Sequence, residues 1–231
     1  MDLILLALTI GPGLLILTWV YLKDRYEKEP WALVGLCLLL GFISPLAVIS
    51  ISPFWETLGF HLSDSLLDTA KFAYLSVALT EEGVKAAIML LMAYPRKAFN
   101  EPFDGIVYAV AVSMGFAISE NLLYVFGKSV NADAYWVAIL RAITAVPAHA
   151  SFAILMGYFM GISKFHRIPG VYLVIGLAAA VLFHGSYDFF LFIQNIPGIS
   201  IGAFASLYIG IRLSQRAILM HQEGSPFKSP W

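Results

Sequence analysis

The chain has 231 residues, 60% hydrophobic and 13% charged, with mean hydropathy +0.81 and a formal net charge of −1. A soluble domain averages about 45–50% apolar and about 25% charged residues, so the composition excludes a soluble protein and indicates a polytopic one in contact with the lipid bilayer. No basic run or patch is present, which excludes a nucleic-acid partner, and the one cysteine, Cys37, excludes an internal disulfide and a cysteine-based metal site.

A membrane span needs about 20 apolar residues, and seven segments meet that: 3–22, 31–53, 71–94, 103–127, 134–162, 170–194 and 198–217. The first is preceded only by Met1 and Asp2, and its positive charges follow it, so it is expected to be a retained helix and not a cleaved signal. The second carries Pro45, a predicted kink. The stretch 54–70 is expected to hold a short amphipathic interfacial helix. The fifth segment is long and is expected to tilt or break near Pro147. The tail 218–231 is polar and expected to be loose. Lipid offers the backbone no hydrogen bonds and the segments lack barrel alternation. The fold class is therefore all-α, a polytopic transmembrane helix bundle of about seven spans. A single domain over 1–231 is expected, with its core at 71–194.

Lys23, Arg25, Lys28, Arg96, Lys97, Lys164, Arg167, Arg212, Arg216 and Lys228 fall at one end of these segments, against Lys71 and Lys128 at the other. Cytoplasmic loops carry the excess of Lys and Arg, so the N-terminus is predicted outside and the C-terminus in the cytoplasm. Trp19, Trp31, Trp55 and Trp136 fall near segment ends, where aromatic belts form.

Within the spans lie polar residues that lipid disfavours. Glu81, Glu82 and Lys85 share the third segment, Glu120 is in the fourth, His149 in the fifth, and His184 and Asp188 in the sixth. An ionisable residue at this depth costs about 2.5–3.5 kcal/mol on insertion scales and marks a functional site by default. Glu81 and Lys85 are one turn apart with the acid first, the favoured order for a helical ion pair; Glu82 points elsewhere and has no local partner. Phe116 and Glu120 also share a face. So do His184 and Asp188, a spacing that lets the carboxylate orient the imidazole. Arg141 is near a segment end, from which it could snorkel, and is expected to have a structural, packing role. With outer ends near Lys71, Gly127, Ala134 and Gln194, a rise of about 1.5 Å per residue puts Asp188 and Glu120 about 10 Å deep, His184 and Glu82 about 15 Å, and His149 about 20 Å. One water-accessible cavity opening to the extracytoplasmic side accounts for that common depth.

No His-Glu-x-x-His, Gly-x-Ser-x-Gly or Gly-rich phosphate loop occurs. Ser119 and Ser186 are the candidate serines, but each neighbours a better acid or base. Asp188 is the only aspartate of the set, so a paired-aspartate protease is excluded. A carboxylate can act as general base to water, and imidazoles with carboxylates can hold a metal such as Zn²⁺; both routes give hydrolysis. The same acidic and histidine residues would also serve a proton-coupled transporter, but they stop at mid-depth, and no inverted repeat is visible. A retinal-type receptor needs a lysine in its last span, and 198–217 has none.

EEGVK (81–85), FAISE (116–120) and HGSYD (184–188) resemble the EExxK, FxxxE and HxxxD motifs of the PrsW family. PFDG (102–105), FAISENLLY (116–124) and PAHASF (147–152) are also similar to it. The resemblance covers about 71–190. The family comprises multi-pass proteases of the bacterial cell membrane that make the site-1 cut in an anti-sigma factor, and it is related to the CAAX prenyl endopeptidases. Relative to those, Lys85 replaces an arginine at different spacing and Glu120 replaces a histidine. The resemblance implies an intramembrane endopeptidase acting on a single-span membrane protein near the extracytoplasmic face. In it, Glu81 would activate water with support from Glu82 and Lys85. His184 and Asp188 would bind a metal or stabilise the oxyanion, and Glu120 and His149 would complete the site. His149, His184 and Glu120 would be the ligands of a zinc ion, if the mechanism is not a metal-free glutamate one.

Overall fold

In a computed structural model, residues 2–128, 133–193 and 195–228 are described; Gln194 and the last three residues of the tail lie outside them. All regular structure among the described residues is helical. Helix α1 (Leu3–Lys23) opens on Asp2, whose carboxylate accepts from the Ile4 amide at 2.9 Å, a side-chain N-cap. Helices α2 (Trp31–Ile43) and α3 (Pro45–Thr57) share one apolar stretch that breaks at Ser44. Pro45 lacks the N–H that would continue α2, and its fixed φ starts α3. Ser65 caps α4 (Leu66–Lys71), the short helix expected before the third span.

The third segment then runs without interruption through a π-helical stretch, Phe72–Leu79, α5 (Thr80–Ile88) and a second π stretch, Met89–Ala93. Helix α6 spans Pro102–Leu122 and continues as a π turn, Leu123–Lys128. The fifth segment breaks at Thr144, three residues before Pro147, into α7 (Ala134–Ile143) and α8 (Ala145–Phe165). Helix α9 covers Pro169–Phe192. Helix α10 covers Ile201–Glu223, so the first part of the tail expected to be loose is helical.

Five of these stretches are long and apolar enough to cross a membrane: Leu3–Lys23, Trp31–Thr57, Pro102–Gly127, Ala134–Phe165 and Pro169–Phe192. The expected third and seventh spans fall short of that standard. Three charges, Glu81, Glu82 and Lys85, sit in the middle of the third, and Arg212, Gln215 and Arg216 make α10 more polar.

Helix α6 is the hub. It packs on α1, α2 and α8, and every residue from Phe103 to Ile118 is buried. Packing in lipid relies on close backbone approach at small residues, and the α6–α8 crossing shows it. A Cβ on Gly105 would fall onto the Gly157 carbonyl, and one on Gly161 onto the Pro102 carbonyl. The large side chains turned outward, among them Leu15, Leu91, Val174 and Ile201, are exposed, as lipid-facing residues should be. The bundle thus holds rigid helix pairs around the polar residues of α5, α6, α8 and α9.

Candidate active site

The seven polar residues singled out in the sequence come together from four segments. Lys85 is fully buried. Its three N–H groups face Glu82 Oε1 at 2.8 Å, His149 Nδ1 at 3.3 Å and Glu81 Oε2 at 3.4 Å. An ammonium has three donors and no acceptor, so all three are used. The Phe116 ring lies 4.0 Å beneath it, which gives the first residue of the FAISE motif a physical role, a cation–π contact. Glu82, read from sequence as having no local partner, is therefore the closer partner of Lys85, ahead of Glu81. The reason is depth: Glu82 is fully buried with the ammonium, whereas Glu81 is 7% exposed.

His184 lies between carboxylates. Its Nδ1 is 2.8 Å from Glu82 Oε1 and its Nε2 3.3 Å from Asp188 Oδ2, with Glu81 Oε2 at 3.9 Å. Phe152 stacks on the ring at 5.0 Å. His149 takes the opposite wall. Because Lys85 can only donate, His149 Nδ1 accepts and Nε2–H donates to Glu120 Oε2 at 3.0 Å. Its backbone carbonyl accepts from Ser113 Oγ at 3.0 Å, which pins α8 to α6.

Arg141 does not snorkel. Its Nη2 donates to Glu120 Oε2 at 2.7 Å and its Nε to Asn121 Oδ1 at 2.7 Å. Asn121 in turn donates to the Thr9 carbonyl of α1. An intramembrane arginine within reach of an intramembrane glutamate was the signal for this pairing, and the break at Thr144 obscured it. Ser186, one candidate serine, is taken up by Tyr74 Oη at 2.7 Å and the Leu182 carbonyl; the π stretch places Tyr74 against Gly185, where no Cβ would fit.

A cavity of about 920 Å³ opens onto this cluster. Glu81, Glu120, Arg141, His149, His184 and Asp188 line it, and Glu82 and Lys85 lie behind that lining. Pro45, Val48 and Ile49 of α3 and Leu191 and Phe192 of α9 make its apolar wall. Glu81, Glu82, His149 and His184 each offer a ligand atom, all within 4.8 Å of one another. The expected metal set of His149, His184 and Glu120 is not the set so grouped: Glu120 Oε2 is held by Arg141 and His149. The Glu82 Oε2 atom is buried with no hydrogen-bond partner. Carboxylates and two imidazoles make a donor set of the kind zinc takes, and a metal would take the His149 lone pair that Lys85 now holds.

Comparison with known proteins bears on the same residues. The profile of the PrsW family intramembrane metalloproteases matches residues 29–213. Protease PrsW of Geobacillus kaustophilus is 35% identical over 201 residues, covering 87% of this chain and 85% of the relative. Protease PrsW of Clostridioides difficile is 35% identical over 198 residues, 84% of this chain and 81% of its own length. The Bacillus subtilis protein of the same name is 34% identical over 186 residues, 79% and 80% of the two chains. No solved structure matches significantly. The chain, a multi-pass bacterial membrane protein with a buried Glu/His cluster that could bind a metal, belongs to the PrsW family of intramembrane metalloproteases.

Proposed function

We propose that this protease cuts a single-span membrane protein near the extracytoplasmic face, with Glu81 as the general base. The observation that carries the assignment is the division of labour between adjacent glutamates. Glu81 lines the cavity, whereas Glu82 is fully buried and bonded to Lys85 and His184. Glu81 takes a proton from water as its oxygen attacks the scissile carbonyl carbon, and returns it to the amide nitrogen as the C–N bond breaks. Lys85 and Glu82 hold the geometry. Arg141, fixed on Glu120 and Asn121, lines the cavity with its remaining N–H groups, where negative charge develops on the carbonyl oxygen; His184, its two ring nitrogens held by Glu82 and Asp188, lines the same cavity. His149 ties Glu120 to Lys85. A bound zinc ion would be held by His149, His184 and Glu82, with Lys85 displaced from His149 Nδ1, and would polarise the carbonyl and lower the pKa of water to about 7.

The apolar wall of α3 and α9 suits a substrate helix arriving from lipid. Outward placement of the site follows from the Lys and Arg distribution, over a seven-span domain with its core at 71–194. Anti-sigma factor as the substrate, and site-1 as the cut, follow from the motif resemblance. Quantitative proteomics of membrane fractions tests the substrate class. A single-span protein truncated in cells with the wild-type chain and intact with Glu81→Gln is the expected result; identical fragment patterns in both strains would refute it. Metal analysis of the purified protein tests the ion. Stoichiometric zinc, lost in His184→Ala, is expected, and full activity with chelator and no bound metal would remove zinc from the account.

A further inference from the structure

A second buried carboxylate cluster lies at the far end of α6. Asp104 and Glu120 are 16 residues apart on that one helix, about 24 Å at 1.5 Å per residue. Apart from Tyr108, the buried residues from Gly105 to Val112 are small or apolar, so the two clusters are separate. Asp24, Glu27 and Glu29 come from the α1–α2 loop, and Glu101 and Asp104 from the start of α6. Asp24, Glu101 and Asp104 each offer a carboxylate oxygen within 4.8 Å of the others, and so do Glu27, Glu29 and Asp104. Asp24 and Glu29 are each 1% exposed and Asp104 is fully buried.

Several of these oxygens have no partner. Asp24 Oδ2 and Glu27 Oε2 are buried without a hydrogen bond, and Glu29 Oε1 and Asp104 Oδ1 have no donor other than each other's carboxyl. The other oxygens are spoken for. Asp104 Oδ2 accepts from the Asn100 and Glu101 amides at 2.7 and 2.8 Å, Glu29 Oε2 from Tyr108 and Glu101 Oε2 from Ser225. The nearby cation, Lys28, puts two of its three N–H groups on the Tyr21 and Asp24 carbonyls. A buried, unpaired carboxylate oxygen is costly, and here such oxygens come from residues of two groups that share Asp104. Such a cluster is short of positive charge.

We propose that this cluster is a binding site for a hard divalent cation of the Ca²⁺ or Mg²⁺ class, centred on Asp104 between Asp24 and Glu101 and flanked by Glu27 and Glu29. An all-oxygen donor set with high negative charge selects these ions over zinc. The cation clamps the α1–α2 loop to the start of α6 and, through the Ser225–Glu101 bond, to the tail. It is structural and stands apart from the hydrolytic residues.

The test uses the full-length protein in detergent, stripped of metal. Saturating Ca²⁺ or Mg²⁺ should raise Tm by about 5–10 °C. Tb³⁺ should give sensitised emission from the adjacent tyrosines, and Ca²⁺ or Mg²⁺ should quench it by displacement. The Asp24 side chain makes no hydrogen bond, so Asp24→Asn removes charge and little else. It should abolish both signals while matching or exceeding wild-type stability in the absence of cation. His184→Ala should keep both. Absence of both signals in the wild type, or undiminished signals in Asp24→Asn, would overturn the site. So would a stability indifferent to cation that falls as pH rises, the signature of a carboxyl pair sharing a proton.

Discussion

Lys85 decides how the site is held. Replacing one partner of a buried ion pair costs about 3–5 kcal/mol because the other charge is left uncompensated. Lys85→Met should lose that much in a denaturant titration and abolish cleavage, because Glu82, Glu81 and His149 all lose a donor. Lys85→Met combined with Glu82→Gln should recover most of the stability and none of the activity. A double variant no more stable than the single would show that the pair does not couple as described. At this scale the sequence was informative about which residues meet and less so about how. Spacing along α5 favoured Glu81 as the partner of Lys85, and only the tertiary burial of Glu82 reversed the order. Arg141 and the loop acids were harder still. In sequence an arginine near a span end looks like a snorkelling one, and Asp24, Glu27 and Glu29 look like the solvated charges of any short loop.

The elements were legible where their cause is local. Hydropathy marks the helical stretches, and prolines mark or lie near the breaks: Pro45 starts α3, and α7 gives way to α8 close to Pro147. The π stretches on either side of α5 were not legible, because nothing in FAYLSVAL distinguishes an i→i+5 pattern from an α-helix. Such irregular turns are common at functional sites, and this one sets Tyr74 on Gly185 and Ser186. The glycine crossing of α6 and α8 was equally silent, since its meaning lies in a partner helix 50 residues away. Gly157→Leu should be poorly tolerated: the side chain must displace the Gly105 backbone, and overpacking of this kind costs about 1–3 kcal/mol or more. Thermal unfolding checks it. The control is Gly35→Leu, where nothing lies within 4 Å of the added Cβ, and Tm should change little. Equal losses at both positions would mean the crossing is not close-packed.

For the molecule as a whole, the expectation is a site reached from outside the cell through a cavity that lipid-borne substrate can enter. Cys37 is the only cysteine and is buried, so a Cys37→Ser background gives clean labelling. Ser63→Cys should react with an impermeant thiol reagent on intact cells, and Lys97→Cys only after permeabilisation; the reverse pattern would invert the bundle and put the site on the cytoplasmic side. The central claim is narrower, that Glu81 is the base of an intramembrane hydrolysis. Its most direct measurement is the cleavage rate of the natural single-span substrate by purified protein in proteoliposomes, wild type against Glu81→Gln, with Tm recorded for both. General-base catalysis is worth about 10²–10⁴-fold in rate. The account predicts a loss in that range with Tm nearly unchanged, and cleavage by Glu81→Gln within a few-fold of wild type would contradict it.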